Sequence, residues 1–181
     1  MPLYYTAVHR FDSECAGERW RDYIAWSGLE QLREVVSLDQ LLCPNFFESL
    51  TTEDWEHNVQ EDYKTDLFHN LEHVLRRAAA RRCFQVLGVM QSPSAAELAE
   101  VRDPRLEFCG FDLVEAEGDI SALVNCGGFE RSFSNQELNP LGLIGQHERA
   151  LEVQDCLAAE YPDEPHAHCD VWAIYRYALG S

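Results

Sequence analysis

Between Thr51 and Arg82, apolar residues recur at steps of three or four: Trp55, Val59, Tyr63, Leu67, Leu71, Val74, Leu75 and Ala78. That spacing is one continuous stripe along a helix. Thr51-Thr52-Glu53-Asp54 opens the stretch with an N-terminal signal close to a capping box. Acids gather at its beginning (Glu53, Asp54, Glu56) and arginines at its end (Arg76, Arg77, Arg81, Arg82), as the helix dipole favours. The pattern predicts a long amphipathic helix over about 52–82.

Other segments change period. LYYTAVHRF, Leu3 to Phe11, is aromatic and β-branched and reads as a first strand. Asp12 and Ser13 are placed to cap a helix through ERWRDYIAW that stops near Ser27-Gly28. LEQLREVVSLDQLLC fits either a helix or a short helix followed by a strand, and Pro44 ends both. CFQVLGVM reads as a buried strand, and Pro93-Ser94 opens a short helix through AAELAEV. LEFCGFDLVE, the turn AEGD and ISALVNC predict a hairpin, broken at Gly127-Gly128. A second helix is expected from about Leu143 to Glu160, with Leu143, Ala150, Leu151, Val153, Leu157 and Ala158 facing the core. The closing VWAIYRYAL fits a core strand and also a helical spacing.

These elements predict an α+β fold in a single globular domain, residues 1–181. Its N-terminal half is expected to be helix-rich, with the long helix packed on a mainly antiparallel sheet from the C-terminal half. With 46% hydrophobic and 11% aromatic residues, a disordered or fibrous chain is excluded.

Charge adds a constraint on partners. Thirty-two acids against fourteen bases give −18, and Lys64 is the one lysine among those bases. The excess is spread evenly, at −4 or −5 in every successive block of about fifty residues or fewer. Such a chain repels phosphate backbones and anionic membranes, so neither nucleic acid nor a membrane is an expected partner. A basic protein is.

The seven cysteines are odd in number and form no Cys-x-x-Cys, which argues against a disulfide framework or a zinc ribbon. Cys83, Cys109 and Cys156 sit among apolar neighbours and read as small buried thiols. The N-terminus has no signal-peptide pattern and no stretch approaches the length of a membrane span. A cytoplasmic location is the expectation.

Four stretches carry candidate chemistry. In HAHCD, a strand extended back from VWAIYRY would put His166, His168 and Asp170 on one face, a workable set for a divalent metal such as zinc. In DLFHNLEH, His69 and His73 stand four apart on the expected helix, with Asp62 and Asp66 on the same side. This group lies nearly opposite the apolar stripe, so it reads first as a solvated polar face. NCGGF places Cys126 beside two glycines, a geometry compatible with a nucleophile near an oxyanion hole, although no catalytic-cysteine signature surrounds it. Trp20, Trp26 and Trp55, flanked by acids, are candidate anchors on a recognition surface together with Asp62 and Asp66.

No phosphate-binding glycine loop, nucleophile elbow or His-Glu-x-x-His motif is present. The sequence therefore leads to three expectations in order. The first is a non-enzymatic, acidic, cytoplasmic interaction domain that binds or inhibits a basic protein partner and needs no cofactor. The second is a metal-binding domain or metal-dependent enzyme built on the histidine clusters. The third is an inhibitor that mimics nucleic acid.

Overall fold

The computed structural model describes residues 2–45, 50–59, 67–115, 119–127, 129 and 131–178. In chain order its elements are β1 (Tyr4–His9), β2 (Phe11–Asp12), α1 (Glu18–Ser27), β3 (Glu34–Val35), α2 (Thr52–His57), α3 (Leu71–Ala78), β4 (Phe84–Gln91), α4 (Ala95–Glu100), β5 (Leu106–Glu115), α5 (His147–Glu160) and β6 (Cys169–Tyr177). The main sheet has the order β1-β4-β6-β5, and every neighbouring pair is antiparallel. The fold is α+β. Its sheet draws on both halves of the chain, since β1 and β4 come from the first, so the expected helix-rich N-terminal half is corrected.

Alternation along the strands divides the interior. Val8 and Leu87 join a large core with Phe111, Leu113, Leu157 and Ile174, while Ala7 and Val86 face the other way, onto Phe68, Leu71 and Val74. α5 packs on β5 and β6 and α3 on β1 and β4. The expected helix of residues 143–160 begins at His147; Ala150, Val153 and Leu157 are buried, whereas Leu151 is 40% exposed. α1 ends at Gly28, whose φ of 67° supplies the left-handed cap that a side chain would resist. The Tyr23 hydroxyl then ties α1 to the loop beyond β5, donating to the Val124 carbonyl at 2.8 Å.

The stripe at residues 52–82 is not one helix. α2 stops at Asn58, which is extended (ψ 144°), and α3 starts only after Asn70. Between them the backbone pairs as a ladder: Val59 N–H to the Leu67 carbonyl and His69 N–H to the His57 carbonyl, both at 2.9 Å. Phe68 bridges both Asn58 and Tyr5 of β1, exchanging two bonds of 2.8 and 2.9 Å with Tyr5. Pairing with the open edge of β1 satisfies backbone groups that a helix would otherwise have used. Two asparagines, poor in helix interiors and good at their ends, mark the break. Asn70 caps α3 by accepting from the N–H groups of Glu72 and His73. The apolar spacing survives within α3, where Leu71 and Val74 are buried, while Trp55 is 62% exposed.

Two further expectations are revised. The second arm of the hairpin is a single bridge, Val114 to Ser121, followed by a turn over residues 122–124. Cys83 is bonded to Cys15 with a Cα separation of 5.5 Å, within the usual range for a disulfide, and joins the turn after β2 to the start of β4. Cys43, Cys109, Cys126, Cys156 and Cys169 are free thiols. Among the described residues no helix is long and apolar enough to cross a membrane.

Candidate metal centre

The ladder that ends α2 and begins α3 also brings their polar residues together. Thr51 caps α2 with the full reciprocal box: its hydroxyl accepts from the Asp54 N–H at 3.2 Å, and Asp54 Oδ2 accepts from the Thr51 N–H and hydroxyl at 2.8 Å each. This turns the Asp54 side chain inward, where it is fully buried. Its other oxygen, Oδ1, lies 2.8 Å from His73 Nε2 and 3.1 Å from Arg77 Nε. Burial works to raise the Asp54 pKa. The Thr51 bonds, His73 and Arg77 outweigh it and hold the carboxyl below its usual range.

His73 is the consequence that matters. It is 1% exposed, and its second nitrogen, Nδ1, is buried without a hydrogen-bond partner. A carboxylate only accepts, so Nε2 carries the proton and donates to Asp54. In the neutral ring Nδ1 is then a bare lone pair. Glu53 Oε1 lies 3.8 Å from it, and the ring of His57 is 4.7 Å away, centroid to centroid. The donor atoms of Glu53, His57 and His73 all fall within 4.8 Å of one another. Among the described residues this is the one group of three or more such side chains that meets this geometry. Ligands around tetrahedral zinc stand roughly 3.4 Å apart, given bonds of about 2.0–2.2 Å.

The shell around these ligands is also defined. A histidine that binds a metal through one nitrogen generally gives the proton of the other to a carboxylate or carbonyl, which fixes the ring and raises its basicity. Asp54 does this for His73. Opposing it, Arg76 donates to Glu53 Oε1 at 2.9 Å. A cation that recruits Glu53 Oε1 competes with that guanidinium.

The predicted residues fare unequally. His73 belongs to the cluster, but it is buried and not on a solvated face. His69 does not join it: it precedes α3, is exposed, and sets its ring edge against Tyr4 at 5.5 Å. Asp62 and Asp66 lie outside the described residues. HAHCD is not one strand, because residues 165–167 form a turn of 3-10 helix and β6 begins at Cys169. His166 falls within that turn. His168 is exposed with Nε2 3.1 Å from the Pro162 carbonyl, while Asp170 on β6 accepts from Gln91 at 2.7 Å and Ser92 at 3.5 Å. Trp20 is buried in the main core, whereas Trp26 is 63% exposed. Burial pushes the Cys126 thiol up to about 12, opposite to what an activated nucleophile requires.

Sequence reasoning passed over Glu53 and His57. Their signal was present: they stand four apart, one helical turn, immediately after the capping threonine. What brings His73 to them is the ladder between the two helices, which no local pattern announces.

A second buried polar group lies on the other side of the main sheet. Asp112 on β5 accepts from the hydroxyls of Ser37 and Ser121, the latter at 2.6 Å, and from the N–H of Leu113 at 2.8 Å. Asp39 accepts from the N–H groups of Leu41, Leu42 and Ser121 and from the Asn125 amide, at 2.8–2.9 Å. Together they pin the loops after β3 and β5 to the sheet. Burial pushes Asp112 up to about 6, against its hydroxyl bonds and with help from the nearby Asp39. With every donor accounted for inside the fold, this group reads as structural. Neither a family model, nor a curated protein, nor a solved structure matches this chain.

Proposed function

We propose that this protein binds a divalent transition metal, zinc by preference, through His73 Nδ1, His57 and a Glu53 carboxylate oxygen. The observation that carries this reading is the buried, unpartnered Nδ1 of His73, whose opposite nitrogen is fixed by Asp54. Two imidazoles and one carboxylate form a ligand set that zinc accepts, with a fourth position for water or another donor. Binding would convert an orphaned buried lone pair into a coordinate bond, removing a cost of about 1–3 kcal/mol. It would also cross-link α2 to α3, so metal and fold stabilise each other.

Cobalt(II) titration of protein prepared without an affinity tag tests the reading. The expected result is a saturable visible d–d band at one cobalt per chain, displaced by zinc and absent in His57→Ala. A spectrum that stays at that of aqueous cobalt throughout removes it.

A second reading, contact with a basic protein, is favoured by the exposed indoles of Trp26 and Trp55 on a chain of net charge −18. It predicts binding to a poly-arginine peptide that weakens as salt rises and weakens further in Trp26→Ala or Trp55→Ala. Affinity that is unchanged in both variants counts against it.

A further inference from the structure

The antiparallel ladder between β4 and β6 runs from Gln91 with Trp172 to Leu87 with Arg176, and no further. Beyond it the two strands part. β4 continues to Phe84 beside β1, while the Ala178 N–H turns away to the Arg105 carbonyl at 2.8 Å. A groove of about 550 Å³ occupies the place where they separate, closed on one side by the last turn of α3. That volume is within the range of small-molecule sites.

Its lining has an unusual character for this chain. Leu75, Ala78, Phe84, Val86 and Tyr177 supply apolar walls, and Arg10, Arg81 and Arg176 supply charge. No carboxylate is among the described lining residues, in a chain where acids outnumber bases by thirty-two to fourteen. Arg10 and Arg176 are held from behind by one buried acid: Glu34 accepts from Arg10 Nε at 3.3 Å and from an Arg176 terminal nitrogen at 2.7 Å. Asp12 also pairs with Arg10, at 2.8 Å. These contacts orient the two guanidinium groups without using all of their donors, since each carries five N–H groups.

Two buried polar groups at the groove lack partners. Gln85, 8% exposed, has neither its amide oxygen nor its amide nitrogen hydrogen-bonded, and Arg176 Nε is likewise unpaired. An unpaired buried amide is costly, and a ligand at this place would recover that cost. An apolar cleft with a few convergent polar donors is the usual form of a site that orients an amphipathic small molecule.

We infer that this groove binds an organic acid with an apolar body, its carboxylate set between Arg10 and Arg176 within reach of the Gln85 amide, and its chain along α3. The site is independent of the metal cluster and stands or falls separately. Decanoate is a suitable probe, titrated into the full chain and followed by calorimetry and by the NMR resonances of the Gln85 side-chain amide. One decanoate per chain is expected, with a shift of the Gln85 amide pair. Decanol, which keeps the chain and lacks the charge, binds at least about tenfold more weakly, the worth of one charge-assisted hydrogen bond. Arg10→Gln weakens decanoate by a similar factor. Ala79→Trp, at an exposed position lining the groove, fills it and abolishes binding without disturbing the core. Decanol binding as tightly as decanoate, a Gln85 amide that does not move, or an Ala79→Trp protein that binds as before would each overturn the assignment.

Discussion

Asp54 and Asp112 are both shut away from solvent, yet their protonation is pulled in opposite directions. Around Asp54 the fold places an imidazole and a guanidinium, besides the capping threonine, and the carboxyl is held below its usual range. Around Asp112 it places two serine hydroxyls, a backbone N–H and a second carboxylate, and the pKa rises to about 6. At Asp54 the Thr51 hydrogen bonds, followed by those of His73 and the charge of Arg77, outweigh burial, whereas at Asp112 burial and the neighbouring Asp39 outweigh the hydroxyl bonds. The Asp112 group is complete in itself. Around Asp54 one polar atom is left over, Nδ1 of His73, and that remainder is what the metal reading uses.

Breaking the charged side of the comparison should cost most. Asp54→Ala leaves His73 and Arg77 without their shared anion and should destabilise the fold by roughly 3–5 kcal/mol, measured by urea unfolding at neutral pH. The carboxyl's low pKa stabilises the fold above the unfolded value of 3.8, and that contribution disappears as pH falls through the folded value.

Asp112 carries the opposite sign. Its folded pKa of about 6 exceeds the model-peptide 3.8, so the native state holds the extra proton between those values and loses stability as pH rises through them. The penalty, complete above pH 6, is roughly 3 kcal/mol. Asp112→Asn should remove this component. Subtracting the variant's stability curve from the wild type's should leave a fall between about pH 4 and 6, whereas a flat difference would refute the assignment.

Thr51→Ala sharpens the contrast on a smaller scale. It removes the cap of α2 and one of Asp54's donors, at about 1 kcal/mol in the same urea assay. Smaller still, Arg76→Gln should tighten zinc binding about threefold, since an exposed ion pair to Glu53 is worth well under 1 kcal/mol. Competition with a chromophoric chelator would read that change.

The legibility of the sequence follows the reach of its signals. The aromatic and β-branched content of LYYTAVHRF and the apolar run of CFQVLGVM predicted β1 and β4, and the Thr51 box was visible because all its parts lie within four residues. The joining of α2 to α3 was not visible. A period-3.6 stripe continued through Asn58 and Asn70, and the competing choice, pairing Phe68 with Tyr5, depends on a strand more than sixty positions away. The same error misplaced the site. His69 and His73 were neighbours only on a helix that does not form, whereas His57 reaches His73 because the chain doubles back. Asp112 and Ser37 are likewise joined only by tertiary structure, across seventy-five positions. HAHCD looked richest in ligands and folded into a turn and a strand start instead.

The decisive measurement is a calorimetric titration of zinc into the untagged chain alongside Glu53→Gln and His57→Ala, two variants at positions the core does not depend on. The account predicts one zinc per wild-type chain, with affinity lowered at least about tenfold in each variant and thermal stability of the wild type raised on saturation. Zinc that fails to bind the wild type, or binds all three proteins equally, would contradict it.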